Sequence, residues 1–118
     1  MTKNNYEIDI GFVITKAPLE SSIVTGIITL AKHEIDRKKT VGIFLISDGV
    51  WLGKKNQKNC KNIADLIEKG VEVTISKDHM EASGIQQEEL LSGISVTEKP
   101  YIELVERVME RWHQVITI

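Results

Sequence analysis

One cysteine, Cys60, is present among 118 residues. A lone thiol excludes an intramolecular disulfide and with it the secreted scaffolds built on paired cysteines. Long apolar runs are also missing, so no segment is expected to cross a membrane. Residues 1–5 are polar and the first apolar run is broken by Glu7 and Asp9. A secretory leader is therefore not expected, and the cytoplasm is the expected location. There is no excess of positive charge either: the formal net charge is −2. Nucleic acid is not an expected partner, because phosphate binding needs clustered Lys and Arg. The one basic run, Arg37-Lys38-Lys39, follows a helical pattern and reads as a solvated helix C-terminus with favourable dipole contacts.

Several chemical signatures are absent. No G-x-G-x-x-G follows the first strand pattern, and no G-x-x-x-x-G-K-[ST] phosphate loop occurs. There is no C-x-x-C pair and no H-E-x-x-H. The three histidines, His33, His79 and His113, are scattered, so neither a metal nor a cofactor is expected. No serine sits in a G-x-S-x-G elbow.

What remains is a regular alternation of short β-rich runs and longer helical ones. Residues 8–15 (IDIGFVIT) read as a strand, nearly continuous in apolar character as a doubly covered strand should be. Pro18 closes it, and Ser21 and Ser22 are N-cap types. Ile23, Ile27, Leu30, Ala31 and Ile35 then predict a helix to about residue 37. Residues 41–47 (VGIFLIS) predict the central strand, and Asp48-Gly49 breaks it. A polar loop over residues 50–59 carries Trp51 and leads to a second helix over residues 60–68, with Gly70 as its C-cap. Residues 71–76 (VEVTIS) predict a third strand. Short helices follow over residues 79–82 and 87–91, then a brief strand over residues 94–96. Pro100 opens a long helix, marked by Ile102, Val105, Val108, Met109 and Trp112. Residues 115–118 predict a last strand. This order predicts a single α/β domain over residues 1–118: a three-layer α/β/α sandwich around a mainly parallel five-stranded sheet. Ligands of such sheets bind at the loops after the strand carboxyl ends.

Those loops supply the candidate site residues. Ser47 and Asp48 end the second strand, where Asp48 either orients a ligand or bonds its own turn; Gly49 is expected to supply an unusual backbone angle. Trp51 either covers a pocket, fills a subunit interface or packs locally. Cys60 opens the second helix, where the helix dipole with Lys58 and Lys61 favours a reactive thiolate; the alternative is an inert, partly buried thiol. Ser76, Asp78 and His79 follow the third strand. Asp78 is expected to cap the short helix, which would set a neutral His79 imidazole near the helix start to bond a ligand or act as a base; the alternative is an exposed histidine in a loop.

Two stretches together resemble the DsrE/DsrF/DsrH family, which includes the TusB, TusC and TusD sulfur-relay subunits. The first is residues 43–50 (IFLISDGV), an apolar strand ending in an acidic-Gly-Val turn. The second is residues 70–76 (GVEVTIS) followed by Ala82-Ser83-Gly84-Ile85, similar to the family's third strand and the end of its active-site loop. The resemblance implies the three-layer fold above and assembly into homo-oligomers, trimers or hexamers, or mixed complexes with other subunits of this kind. It also implies that a cysteine beginning the loop after the third strand carries persulfide sulfur. Ser76 occupies that position, and serine cannot hold a persulfide. The chain is then similar to the family's cysteine-free members. It is expected to be a non-catalytic, oligomeric accessory or small-ligand-binding subunit. The alternative is a sulfurtransferase or persulfide carrier that uses Cys60.

Overall fold

Apolar strands alternating with amphipathic helices must stack in layers to bury both faces of the sheet. The computed structural model describes residues 6–17, 22–57 and 59–118. The elements run in the order β1 (Ile8–Ile14), α1 (Ser22–Asp36), β2 (Val41–Leu45), a 3-10 turn (Ser47–Gly53), α2 (Cys60–Glu68), β3 (Glu72–Ser76), α3 (Lys77–Ala82), a second 3-10 turn (Gln87–Glu89), β4 (Ser95–Thr97), α4 (Pro100–Glu106), a π turn (Arg107–Arg111) and β5 (Trp112–Thr117). The five strands lie in the order β4-β3-β2-β1-β5, and every pairing is parallel. This is the α/β sandwich that the alternation predicts. Pro18, Ser21 and Lys58 lie outside the described residues.

The strand order decides which face each helix covers. β1 to β4 step across the sheet in one direction, so right-handed crossovers place α1, α2 and α3 on one face. The last connection returns past β1 to the opposite edge and carries α4 across the other face. Alternating strand side chains follow this division. Ile43, Leu45, Val73 and Ile75 pack in the main core with Val24, Ile28, Ile63, Leu66 and Met80. Phe44 and Val13 point the other way, into a smaller cluster with Ile8 and Trp112, flanked by Leu104 and Val108.

The smaller cluster rests on glycine. Gly11 and Gly42 face each other in register, and the Trp112 indole lies across both. A Cβ on Gly11 would stand 1.9 Å from that ring, and one on Gly42 would stand 3.1 Å from it. Two bare backbone positions therefore make a flat seat for the largest buried side chain. Ion pairs close the rest of this face. Arg107, almost wholly buried, bonds Glu72 of β3 at 3.3 Å and Glu103 of α4 at 3.1 Å, with its guanidinium 5.2 Å from the Phe44 ring centre.

The structure corrects the end of the chain most. The long helix predicted through Trp112 is α-helical only to Glu106 and continues as a π turn to Arg111. α4 has 7 residues, a π turn of 5 follows, and Trp112 opens β5. Of its predicted apolar stripe, Val108 and Trp112 pack on the sheet together with Leu104, while Ile102, Val105 and Met109 are exposed. Residues 47–53, predicted as strand end and loop, wind into a 3-10 turn. The α3 cap is Ser76, not Asp78: the Ser76 hydroxyl oxygen accepts from the His79 N–H. Gly49 has no left-handed backbone; the positive φ belongs to Ser47, at 51°. Glycine is needed at 49 because a Cβ there would lie 1.9 Å from the Ile14 carbonyl oxygen. Gly70 does end α2 with a positive φ, 99°.

Candidate functional site

All strands are parallel, so their carboxyl ends share one edge, and the loops there converge. β2 ends at Leu45, and Ser47 turns the chain sharply through its left-handed backbone, a conformation that non-glycine residues adopt at a cost of about 1–3 kcal/mol. That turn carries the Ser47 N–H to His79, whose Nδ1 accepts it at 2.8 Å. β3 ends at Ser76, which is fully buried and holds the His79 backbone N–H at 3.3 Å. β4 brings Thr97 beside Ser76 in register, and Pro100 starts α4 at once. Tyr101, the next residue, places its hydroxyl 3.1 Å from His79 Nε2, with the two rings edge-on at 5.8 Å. Lys77 and Glu98 pair at 3.7 Å and tie the loops after β3 and β4 together.

The hydrogen-bond inventory fixes the direction of this chain of contacts. A backbone N–H only donates, so Nδ1 of His79 carries no proton. A neutral imidazole then holds its proton on Nε2 and donates it to the Tyr101 oxygen. The Tyr101 hydroxyl proton is left free to point outward. The edge therefore offers a hydrogen-bond donor on an exposed tyrosine, braced by a half-buried histidine that accepts from the Ser47 N–H at Nδ1 and donates its own backbone N–H to the Ser76 hydroxyl. It offers no nucleophile at position 76: the Ser76 hydroxyl is buried and committed to capping α3.

The structure brings together three of the sequence candidates, Ser47, Ser76 and His79. Asp48 and Asp78 lie exposed in the first turns that follow β2 and β3. Trp51 turns to the other side and packs against the main core. Cys60 is the first residue of α2, free and partly exposed. Among the described residues no hydrogen bond joins it to Ser76 or His79. Also among the described residues, no three His, Cys, Asp or Glu side chains gather as a metal site requires, and no helix is long and apolar enough to cross a membrane. Tyr101 escaped the sequence reading. Its signal was its place, one residue after the proline that starts the element following β4, on the same sheet edge as His79.

No protein-family model matches the chain. The solved structure of MTH1491 from Methanobacterium thermoautotrophicum, titled a protein of unknown function, superposes with a TM-score of 0.77 at 21% identity, covering 94% of this chain and 99% of that one. The ychN protein from E. coli gives a TM-score of 0.75 at 25% identity, with the same coverage of 94% and 99%. The fold is thus one found in conserved proteins from both archaea and bacteria. In sequence, the chain is 32% identical over 90 residues to the uncharacterized protein MK0008 of Methanopyrus kandleri, across 71% of this chain and 74% of that protein. The chain belongs to the family of that Methanopyrus kandleri protein.

Proposed function

We propose that this chain is a DsrE-like domain that no longer carries sulfur on its β3 loop and instead binds a small ligand at the strand-end edge, as a non-catalytic subunit in the cytoplasm. One observation carries the reading. The position where a persulfide thiol would sit is Ser76, fully buried and bonded to the His79 N–H. A persulfide needs a thiolate free to attack a sulfane sulfur, and this hydroxyl is neither a thiol nor accessible. What remains polar and outward at that edge is the Tyr101 hydroxyl on its His79 brace. Its free proton suits a ligand that presents an oxygen or sulfur acceptor.

A second reading rests on Cys60. It is partly exposed and starts a helix of 9 residues, where the dipole favours an anion. The two readings separate by mass. After incubation with thiosulfate or a polysulfide donor, the first expects an unmodified chain. A gain of one sulfur that vanishes in Cys60→Ser would sink it and establish the second. Ligand binding is then read by amide and imidazole NMR shifts during titration with small thiols, carboxylates and nucleotides. Shifts should concentrate on Ser47, His79 and Tyr101. Shifts that cluster elsewhere, or none with any compound, would remove the edge as a binding site.

A further inference from the structure

A hydrogen bond to an imidazole nitrogen depends on whether that nitrogen holds a proton. His79 accepts the Ser47 backbone N–H at Nδ1, 2.8 Å away, and its Nε2 stands 3.1 Å from the Tyr101 hydroxyl. A second proton on the ring changes one end and spares the other. Nε2–H still donates to the Tyr101 oxygen. Nδ1 becomes a donor facing a donor, and the Ser47 N–H loses its acceptor.

The two partners are held unequally. His79 sits inside α3, where its N–H bonds Ser76 Oγ and its carbonyl oxygen accepts from the Ser83 N–H at 3.1 Å. The next residue, Met80, is buried. Ser47 is exposed and has a φ of 51°, a left-handed conformation that a residue with a Cβ keeps only where its surroundings impose it. The chain is fixed on either side of it. The Ile46 N–H donates to the Ile14 carbonyl at 3.2 Å, and the Gly49 N–H donates to the Ile46 carbonyl at 2.9 Å. Strain is therefore confined to the Ser47–Asp48 turn, and the bond to the ring opposes its release.

We propose that His79 is a pH-sensitive latch on the strand-end edge. With one proton on the ring, the latch is closed and Ser47 is held left-handed. With two, the Ser47–Asp48 turn leaves the ring, and the edge presents a cationic imidazolium beside a released backbone N–H. Histidine is the side chain that makes this change between about pH 5 and pH 8. The ionisable groups on the surrounding elements are Lys16 after β1, Asp48 on the 3-10 turn, Lys77, Asp78 and Glu81 on α3, Glu98 and Lys99 before α4, and Tyr101, Glu103 and Glu106 on it. Lys77 pairs with Glu98, and Glu103 pairs with Arg107. Among the described residues no carboxylate pairs with the His79 ring, so no ion pair locks it in its charged form. The consequence for binding rests on the ligand reading above; the latch itself does not, and its test contains no ligand.

A nitrogen-edited NMR titration of the full chain from pH 8 to pH 5 tests it. At pH 8 the His79 ring should carry its proton on Nε2. As the ring takes a second proton, the Ser47 amide resonance should move with the same midpoint. Hydrogen exchange of that amide, corrected for its intrinsic pH dependence, should quicken about tenfold, the worth of one hydrogen bond. Amides of the main core such as Ile43 should stay still. A ring protonated on Nδ1 at pH 8, a ring that stays neutral to pH 5, or a ring that titrates while Ser47 stands still overturns the inference. A shift shared with the core is acid unfolding and overturns it as well. All of these are read on the wild type and need no variant to fold. His79→Gln should abolish the Ser47 step, and Tyr101→Phe should keep it, because the switch lies at Nδ1. A Ser47 step that survives in His79→Gln belongs to a neighbouring carboxylate and also overturns the latch, as does a step lost in a folded Tyr101→Phe.

Discussion

The two faces of the sheet are built differently. On the α1–α2 face, apolar side chains from three helices and three strands interlock in one continuous core. On the α4 face, a 7-residue helix and a π turn of 5 residues are the only helical cover among the described residues. Packing there depends on one indole seated on two glycines, and on a buried arginine shared between Glu72 and Glu103. Arg111 extends that network, bonding Glu7 at 2.9 Å and Glu72 at 3.5 Å. Partial burial works against the Arg111 charge, but its hydrogen bond to Glu7 and the carboxylate of Glu72 outweigh this and hold it more firmly protonated than usual. Two of the three buried polar side-chain atoms without a hydrogen-bond partner, Thr74 Oγ1 and Trp112 Nε1, belong to this face as well. The same face carries the exposed apolar stripe and, at its carboxyl edge, the His79–Tyr101 contact. The lesson is a division of labour. One face supplies stability by ordinary burial, and the other is stapled by a few polar and aromatic contacts and leaves apolar side chains exposed.

The largest expected effect tests whether one residue does for the second face what many do for the first. Trp112→Ala should cost about 3–5 kcal/mol in urea unfolding, matching Leu66→Ala in the main core at about 2–5 kcal/mol. A loss under about 1 kcal/mol would show that the α4 face contributes little and would erase the contrast. Next comes the glycine seat. Gly11→Ala forces the indole aside and should cost about 1–3 kcal/mol, with a shift of tryptophan fluorescence. Unchanged fluorescence would mean that Trp112 does not rest there. At the carboxyl edge, Ser76→Ala removes the α3 cap and should cost about 1 kcal/mol. Loosening of His79 should also move the Ser47 amide resonance; a stationary resonance would uncouple the cap from the site.

The smallest effect lies at the opposite, amino edge of the sheet, where the two faces meet. Asp9 accepts from the Thr40 backbone N–H at 2.9 Å and from its hydroxyl at 3.0 Å. These bonds, the backbone one foremost, hold its carboxyl below the usual carboxylate range. The native state then binds this proton more weakly than the unfolded chain does. The stabilisation is complete above the ordinary carboxylate value and is lost as pH falls through the lowered native value. Thr40→Val should therefore narrow the stability difference between pH 7 and pH 3 in paired urea titrations. Identical pH dependence in variant and wild type would count against this linkage.

Much of the fold was legible in the sequence because burial on both faces writes itself into composition. VGIFL is apolar throughout since β2 is covered on both sides, and the α1 and α2 stripes mark helices with one buried face. Position 76 was legible too, since it directly ends a clear strand. The segment from Pro100 to Trp112 was misread for a physical reason. Periodicity reports that Ile102, Val105 and Met109 share a side of a helix. It does not report which side meets the sheet, nor that a π turn intervenes before Trp112. Gly49 was misread similarly. A glycine signals that no Cβ is tolerated, and either a positive φ or a close neighbour requires that; here the neighbour was Ile14, distant in sequence.

The sequence by itself determined the alternation of strands and helices, the α/β class and the absence of a thiol after β3, because these follow from local patterns of burial and residue identity. Only the tertiary structure decided that Ser47, His79 and Tyr101 meet, that Ser76 is buried beneath them, and that the apolar stripe of α4 faces outward. Those facts depend on strand order and on the direction of the final crossover, which bring residues 32 and 22 positions apart into hydrogen-bond contact. No local pattern encodes such a separation.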